Sequence, residues 1–222
     1  MKKSKVMLFG AMALTAGLAL AACGSSQSSN TDKTYSYIFV NNPDTLDYIT
    51  STRDSTSSIT TNLIDGLLEN DQYGNLIPSM AESWTVSKDG LTYTYKIRQG
   101  AKWYTSEGEE YADVTAHDFV TGLKYAADKK AENLYLVQDS IKGLADYVEG
   151  KSSDFGTVGV KAVDDYTLQY TLNQPETYWN SKTTASILSP VNEAFLKSKG
   201  DDFGSVTPSS LSLIHISEPT RP

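Results

Sequence analysis

A single cysteine, Cys23, stands in the 222 residues, which removes a disulfide framework and any cysteine-rich metal site. Histidine is nearly as scarce, with His117 and His215 the two present; with His215 set aside in the foreign tail from Leu211, a Ser-His-Asp triad would have to be built around His117. No G-x-S-x-G elbow accompanies either. A phosphate-cradling glycine loop, a His-x-x-x-His pair and an EF-hand ladder are also missing, since Asp71 to Asn75 lacks the alternating ligands that calcium requires. Basic charge is in deficit: 19 Lys and Arg stand against 27 Asp and Glu, for a net charge of −8. Such a surface repels nucleic acid and anionic headgroups, so a nucleic-acid partner is not expected. Beyond Ala22 no apolar run approaches the ~20 residues that span a hydrocarbon core, which excludes a permanent membrane span there.

The first 22 residues differ from the rest. A basic stretch, Met1 to Lys5, runs into an uncharged apolar segment, Val6 to Ala22, that closes on small residues. This is the layout of a secretory signal peptide. Leu20-Ala21-Ala22-Cys23 resembles the lipobox of bacterial lipoproteins, in which the chain is cut before the cysteine and the thiol carries a diacylglycerol. By that resemblance residues 1–22 are a lipoprotein signal peptide and Cys23 is the lipidation site, anchoring the protein outside the cytoplasm on the outer face of the cytoplasmic membrane. Removing Lys2, Lys3 and Lys5 with the signal leaves 16 basic residues against 27 acidic ones. Gly24 to Asn30 is polar and serine-rich, and residues 23–33 read as a flexible tether.

The other end also stands apart. Leu211 to Pro222 lacks the patterning of the preceding region and resembles the in-frame translation of a transposon-based sequencing-library adapter. Residues 211–222 are therefore expected to be a non-native tail, His215 included, and the chain to be an N-terminal fragment of something longer.

Between them, strand and helix patterns alternate. Tyr35 to Val40 reads as a strand running into a turn at Asn41, Asn42 and Pro43. Ile59, Leu63, Ile64, Leu67 and Leu68 fall on one helical face and predict a helix over Ser57 to Glu69, with a turn at Asp71 to Asn75. Two hairpins are marked. Trp84 to Ser87 and Leu91 to Ile97 flank an Asp-Gly turn, with Leu91, Tyr93, Tyr95 and Ile97 alternating against Thr92, Thr94 and Lys96; Val158 to Val163 and Tyr166 to Leu172 flank Asp164 and Asp165. Thr115 with Asp118 forms a capping box opening a helix striped by Phe119, Val120, Leu123 and Ala127. A second helix is expected over Leu134 to Val148, capped by Gly150, and a third from Ser189 and Pro190 to Lys199, stopped at Gly200. The class is mixed α and β with local hairpins.

Candidates for catalysis are thin. His117, in the first turn of a helix, reads as a solvated polar residue. Glu107, Glu109 and Glu110 cluster in an exposed loop around Gly108, with nothing to separate their pKa values as paired glycosidase acids require. Trp84, Trp103 and Trp179 could line a sugar-stacking cleft, but at strand spacing they read as core.

Around the first hairpin, Pro78-Ser79-Met80-Ala81-Glu82-Ser83-Trp84, then Asp89 to Arg98, then Ala101-Lys102-Trp103 resemble the signature of the family-5 extracellular solute-binding proteins. Thr45-Leu46-Asp47, Asp65-Gly66-Leu67-Leu68, Val114 to Val120 and Gly159 to Leu168 extend the likeness, which runs from about Tyr35 to Phe203. The tyrosine-rich body and Gln174-Pro175 look most like the oligopeptide branch. The resemblance implies a two-lobed periplasmic-binding fold of which only the first lobe is present, with residues 34–54 and 183–210 in its main domain and 55–182 in its small extra domain. It implies capture of oligopeptides for the permease subunits of an ABC importer, by a monomer that is no enzyme and needs no cofactor or metal. In that family the lobes close over an extended peptide. Asn42, Pro43, Asp44 and Thr45 match the first-lobe edge that lies against it, and Tyr135 lies where the small domain reaches toward the cleft. The acidic residue that pairs with the peptide's amino group comes from the second lobe, so the 222-residue chain is expected to bind peptides poorly or not at all. Alternatives are a same-fold binder of a dipeptide, nickel, a sugar oligomer or a pheromone, a structural surface lipoprotein and, more distantly, a hydrolase built on His117.

Overall fold

The chain divides into two units, residues 1–38 and 39–222, and a computed structural model describes residues 41–206, all within the second. The expected signal peptide, lipidation site Cys23, tether, strand over Tyr35 to Val40 and non-native tail from Leu211 lie outside the described residues.

After an irregular stretch from Asn41, helix α1 covers Asp54–Thr60. It begins three residues before the expected Ser57 and ends nine before Glu69. Ser and Thr dominate it, and their side chains bond back to nearby carbonyls, as Thr60 Oγ1 does to Thr56 O at 3.1 Å, so the backbone is offered alternatives to a continued helix. Leu67 and Leu68 are buried all the same, with Leu68 in strand β1, Leu68–Asn70, which pairs with β2, Leu76–Pro78. The apolar spacing was compatible with both forms, and burial chose the strand. The turn between them is held by Asp71, whose Oδ1 accepts from the Tyr73 and Asn75 amides, each at 2.8 Å.

Both expected hairpins form. Strands β3, Ala81–Val86, and β4, Thr92–Ile97, pair antiparallel around the Asp89-Gly90 turn. On β4, Tyr93, Tyr95 and Ile97 are buried while Lys96 is exposed, as the alternation requires. Strands β5, Lys102–Tyr104, and β6, Glu110–Asp113, make a further small hairpin, with Glu107, Glu109 and Glu110 exposed at its tip. Helix α2, Ala116–Asp128, starts on the predicted Thr115/Asp118 capping box.

The second expected helix is not continuous. A 3-10 turn over Glu132–Leu136 and a short helix α3, Leu144–Val148, replace it. Between them Gly143 takes φ +71, a left-handed conformation that closes a turn instead of carrying a helix through. Gly150 follows α3 with φ +76, in the expected capping place. Strands β7, Val160–Asp164, and β8, Thr167–Thr171, form the second hairpin. Helix α4 is Trp179–Lys182, and α5 is Glu193–Lys199, ended at Gly200. This last helix starts later than Ser189 because Ser189 to Val191 runs extended against α2, the Val191 amide donating to Asp118 O at 2.9 Å, and Asn192 supplies the cap to Phe195 N at 3.0 Å.

The two hairpins merge through β4 and β8 into one four-stranded antiparallel sheet of order β3-β4-β8-β7. Its buried face carries Tyr95, Leu168 and Tyr170, covered by Trp179 of α4. Tyr95 meets Tyr170 edge-on at 6.2 Å and Tyr170 meets Trp179 at 5.3 Å, spacings that favour tilted aromatic packing. The Tyr95 hydroxyl reaches Asn180 Oδ1 at 2.6 Å and the Tyr93 hydroxyl reaches Glu176 O at 2.8 Å. Trp103 and Trp179 are core residues, as expected, and Trp84 is partly buried against that core.

A candidate ligand-facing segment

Among the described residues, the candidates for ligand contact are exposed or half-buried. Asn42 and Asp44 are exposed and Pro43 and Thr45 are half-buried, at the start of the segment leading to α1. Asp44 faces Arg53 at 3.4 Å, an exposed ion pair of small energetic weight. Tyr135 rides on the 3-10 turn, 74 % exposed, while its neighbour Leu134 is buried. Glu132, at the start of the same 3-10 turn, accepts from the Thr52 hydroxyl at 3.2 Å through Oε2.

Immediately after Thr45 the chain dives into the core: Leu46, Asp47, Tyr48 and Ile49 are all buried. Asp47 is the unexpected member, a carboxylate 6 % exposed. A buried carboxylate is tolerated only when its lone pairs are filled, and here four donors fill them. Oδ1 accepts from the amides of Ile49 at 3.0 Å and Thr50 at 3.1 Å, and Oδ2 from the Thr50 hydroxyl at 2.6 Å and the Tyr125 hydroxyl at 2.8 Å. Burial, followed by the Asp47 charge, raises the Tyr125 phenol well above its ordinary range, so it remains a donor at neutral pH. Tyr48, raised in the same way by burial, donates to Pro190 O at 2.7 Å.

Thr45 is tied on three sides. Its hydroxyl donates to Gly204 O at 2.9 Å and accepts from the Asp47 amide at 3.0 Å, while its carbonyl accepts from the Thr56 hydroxyl at 2.7 Å. The Leu46 amide also donates to Gly204 O, at 2.6 Å. Sequence reasoning singled out Thr45-Leu46-Asp47 as a motif but assigned Asp47 no role; Tyr125 and Gly204 carried no local signal, because their partner is 78 or more residues away along the chain.

Elsewhere, a cleft of about 330 Å³ of mixed polar and apolar lining includes Tyr48, Thr60, Ile64, Asp65, Leu68 and Ser186. His117 pairs with Asp165 at 3.3 Å, both side chains more than half exposed, as a solvated helix-start residue would. Among the described residues no group of three or more His, Cys, Asp or Glu side chains gathers as a metal site would need.

The profile of "Bacterial extracellular solute-binding proteins, family 5 Middle" matches residues 75–210. The chain is 65% identical over 209 residues to oligopeptide-binding protein AliB of Streptococcus pneumoniae, covering 94% of this chain and 32% of that protein. It is 63% identical over 219 residues to oligopeptide-binding protein SarA of Streptococcus gordonii, covering 95% of this chain and 33% of that one. The chain thus spans about a third of the length of these relatives. Among solved structures it is similar to Listeria monocytogenes OppA bound to peptide, with a TM-score of 0.69 at 31% identity over 78% of this chain and 33% of that one. It is also similar to the substrate-binding domain of an oligopeptide ABC transporter from Bacillus anthracis, with a TM-score of 0.68 at 34% identity over 79% of this chain and 33% of that one. With its mixed α and β architecture and its signature hairpin both in place, the chain belongs to the family-5 bacterial extracellular solute-binding proteins.

Proposed function

We infer that the protein captures oligopeptides outside the cytoplasm and delivers them to the membrane subunits of an ABC importer, as a binding protein and not as an enzyme. The observation that carries this reading is the 62–65% identity, across nearly the whole chain, to relatives named as oligopeptide-binding proteins. In this reading residues 34–54 and 183–210 belong to the main domain of a first lobe, and 55–182 form its small extra domain. Asn42 to Thr45 offer backbone groups to an extended peptide, and Tyr135 contributes an exposed ring at the small domain's edge. Backbone pairing makes such binding tolerant of peptide sequence.

The full-length protein is expected to show saturable binding of mixed short peptides by calorimetry or intrinsic fluorescence. Absence of binding, with stabilisation by a different solute class, would replace the peptide reading. In the same reading residues 1–22 are removed as a signal, Cys23 carries the lipid anchor, residues 23–33 tether a monomer to it, and residues 211–222 are not native. Cys23→Ala should move the protein from the membrane fraction to the soluble one, since the acyl chains of the diacylglycerol supply the membrane affinity; a variant that stays as firmly in the membrane sinks the anchor.

A further inference from the structure

We propose that Asp47 and Tyr125 are positioning residues that hold the ligand-facing segment Asn42–Thr45 in its peptide-receiving conformation, an inference that rests on the function proposed above. Residues that contact a ligand through their backbone must have that backbone fixed beforehand, because every freedom lost on binding is subtracted from affinity. The segment itself has few internal means of being fixed. It is short and irregular, with Asn42 and Asp44 exposed, and the ion pair of Asp44 with Arg53 lies in solvent.

What fixes it lies directly behind. The Asp47 carboxylate ties the following turn together through Ile49 N, Thr50 N and the Thr50 hydroxyl, and its fourth bond, from the Tyr125 hydroxyl, attaches that turn to α2. Helix α2 is a rigid mount: its buried residues Phe119, Leu123, Ala126 and Ala127 anchor it in the core. From the other side Gly204, at φ +75, closes over Asp47 so tightly that a methyl group on it would overlap the Asp47 backbone. Its carbonyl takes both the Leu46 amide and the Thr45 hydroxyl. Phe203 completes the clamp, packing edge-on against Tyr48 at 6.1 Å and Tyr125 at 5.2 Å. The Tyr125 hydroxyl is thus a single group whose removal loosens the turn from α2 while leaving the ring and its contact with Phe203 in place.

The test uses the full-length protein, with peptide affinity measured by calorimetry and amide hydrogen exchange followed over residues 41–50. Tyr125→Phe is expected to weaken binding about tenfold, the scale of one hydrogen bond to a charged acceptor. Faster exchange at Leu46 to Thr50 in the unliganded protein, with little change in exchange across the four-stranded sheet, is expected to accompany it. Asp47→Asn should act in the same direction and more strongly. Unchanged affinity in Tyr125→Phe overturns the proposal, as does weaker binding accompanied by loosening of the sheet, which would mark a global stability effect. Failure of the wild-type protein to bind any peptide would instead bring down the peptide-capture reading, and this proposal with it.

Discussion

Gly122→Ala is expected to destabilise the fold by about 3 kcal/mol, the upper part of the range for overpacking a close-packed interior. On an isolated helix the same change is favourable by about 1 kcal/mol, because alanine loses less backbone freedom than glycine. Packing reverses the sign. Gly122 lies on the buried side of α2, and a methyl group there would overlap the Ser189 carbonyl oxygen, a backbone atom, with the Ser189 carbonyl carbon next at 3.4 Å. The Ser189 backbone cannot swing aside, since the chain two residues on is held to the same helix by the Val191 amide's bond to Asp118 O. The helix and the extended stretch Ser189–Val191 must therefore separate. Chemical denaturation of the two proteins measures the effect, and a variant as stable as the wild type would mean that this interface is not the close contact described.

The second large effect depends on pH. Asp118 is 5 % exposed and accepts from the Thr115 amide at 2.8 Å and the Trp103 indole N–H at 3.2 Å. Burial pushes its carboxyl up from 3.8 to about 6, against the opposing pull of those two donors and of His117. The folded chain therefore binds this proton more tightly than the unfolded one, so the stability contributed is fully present below pH 3.8 and is lost as pH rises through about 6. The size of that loss is ~3 kcal/mol. Exposed carboxyls held low by hydrogen bonds, Asp71, Asp89 and Asp164, act in the opposite sense at lower pH, so the effect is best read as a difference from Asp118→Asn, in which those groups cancel. Wild-type stability minus variant stability should fall between pH 4 and 7, and Trp103 fluorescence should titrate with the same midpoint. Parallel stability curves for the two proteins would show that the carboxyl stays charged throughout.

How far the sequence disclosed this molecule depended on the range of each interaction. The hairpins were legible because alternation, turn residues and strand pairing all lie within some twenty residues, and the Thr115/Asp118 box because it spans a single helical turn. Where an apolar stripe could serve two structures, as from Ile59 to Leu68, spacing alone favoured one long helix, and the strand appears only because β2 is there to receive Leu68. The helix expected over Leu134 to Val148 ignored Gly143, whose turn is set by the approach of Thr157 and Val158. In the candidate site, Asn42 to Thr45 and Tyr135 came from family likeness. The lock behind them, Asp47 with Tyr125 and Gly204, joins residues far apart in the chain and is visible only once it is folded.

The central pairing of the sheet has a further consequence for how such a chain acquires its structure. Strands β4 and β8 meet through residues such as Lys96 and Thr167, 71 positions apart, while each hairpin closes locally. Two half-sheets can thus form early, but each presents an open strand edge until the other arrives, and long-range closure of this kind is slow and exposed to mispairing. Until β8 pairs with it, the Tyr93 and Tyr95 strand has an unpaired edge on the side that β8 covers.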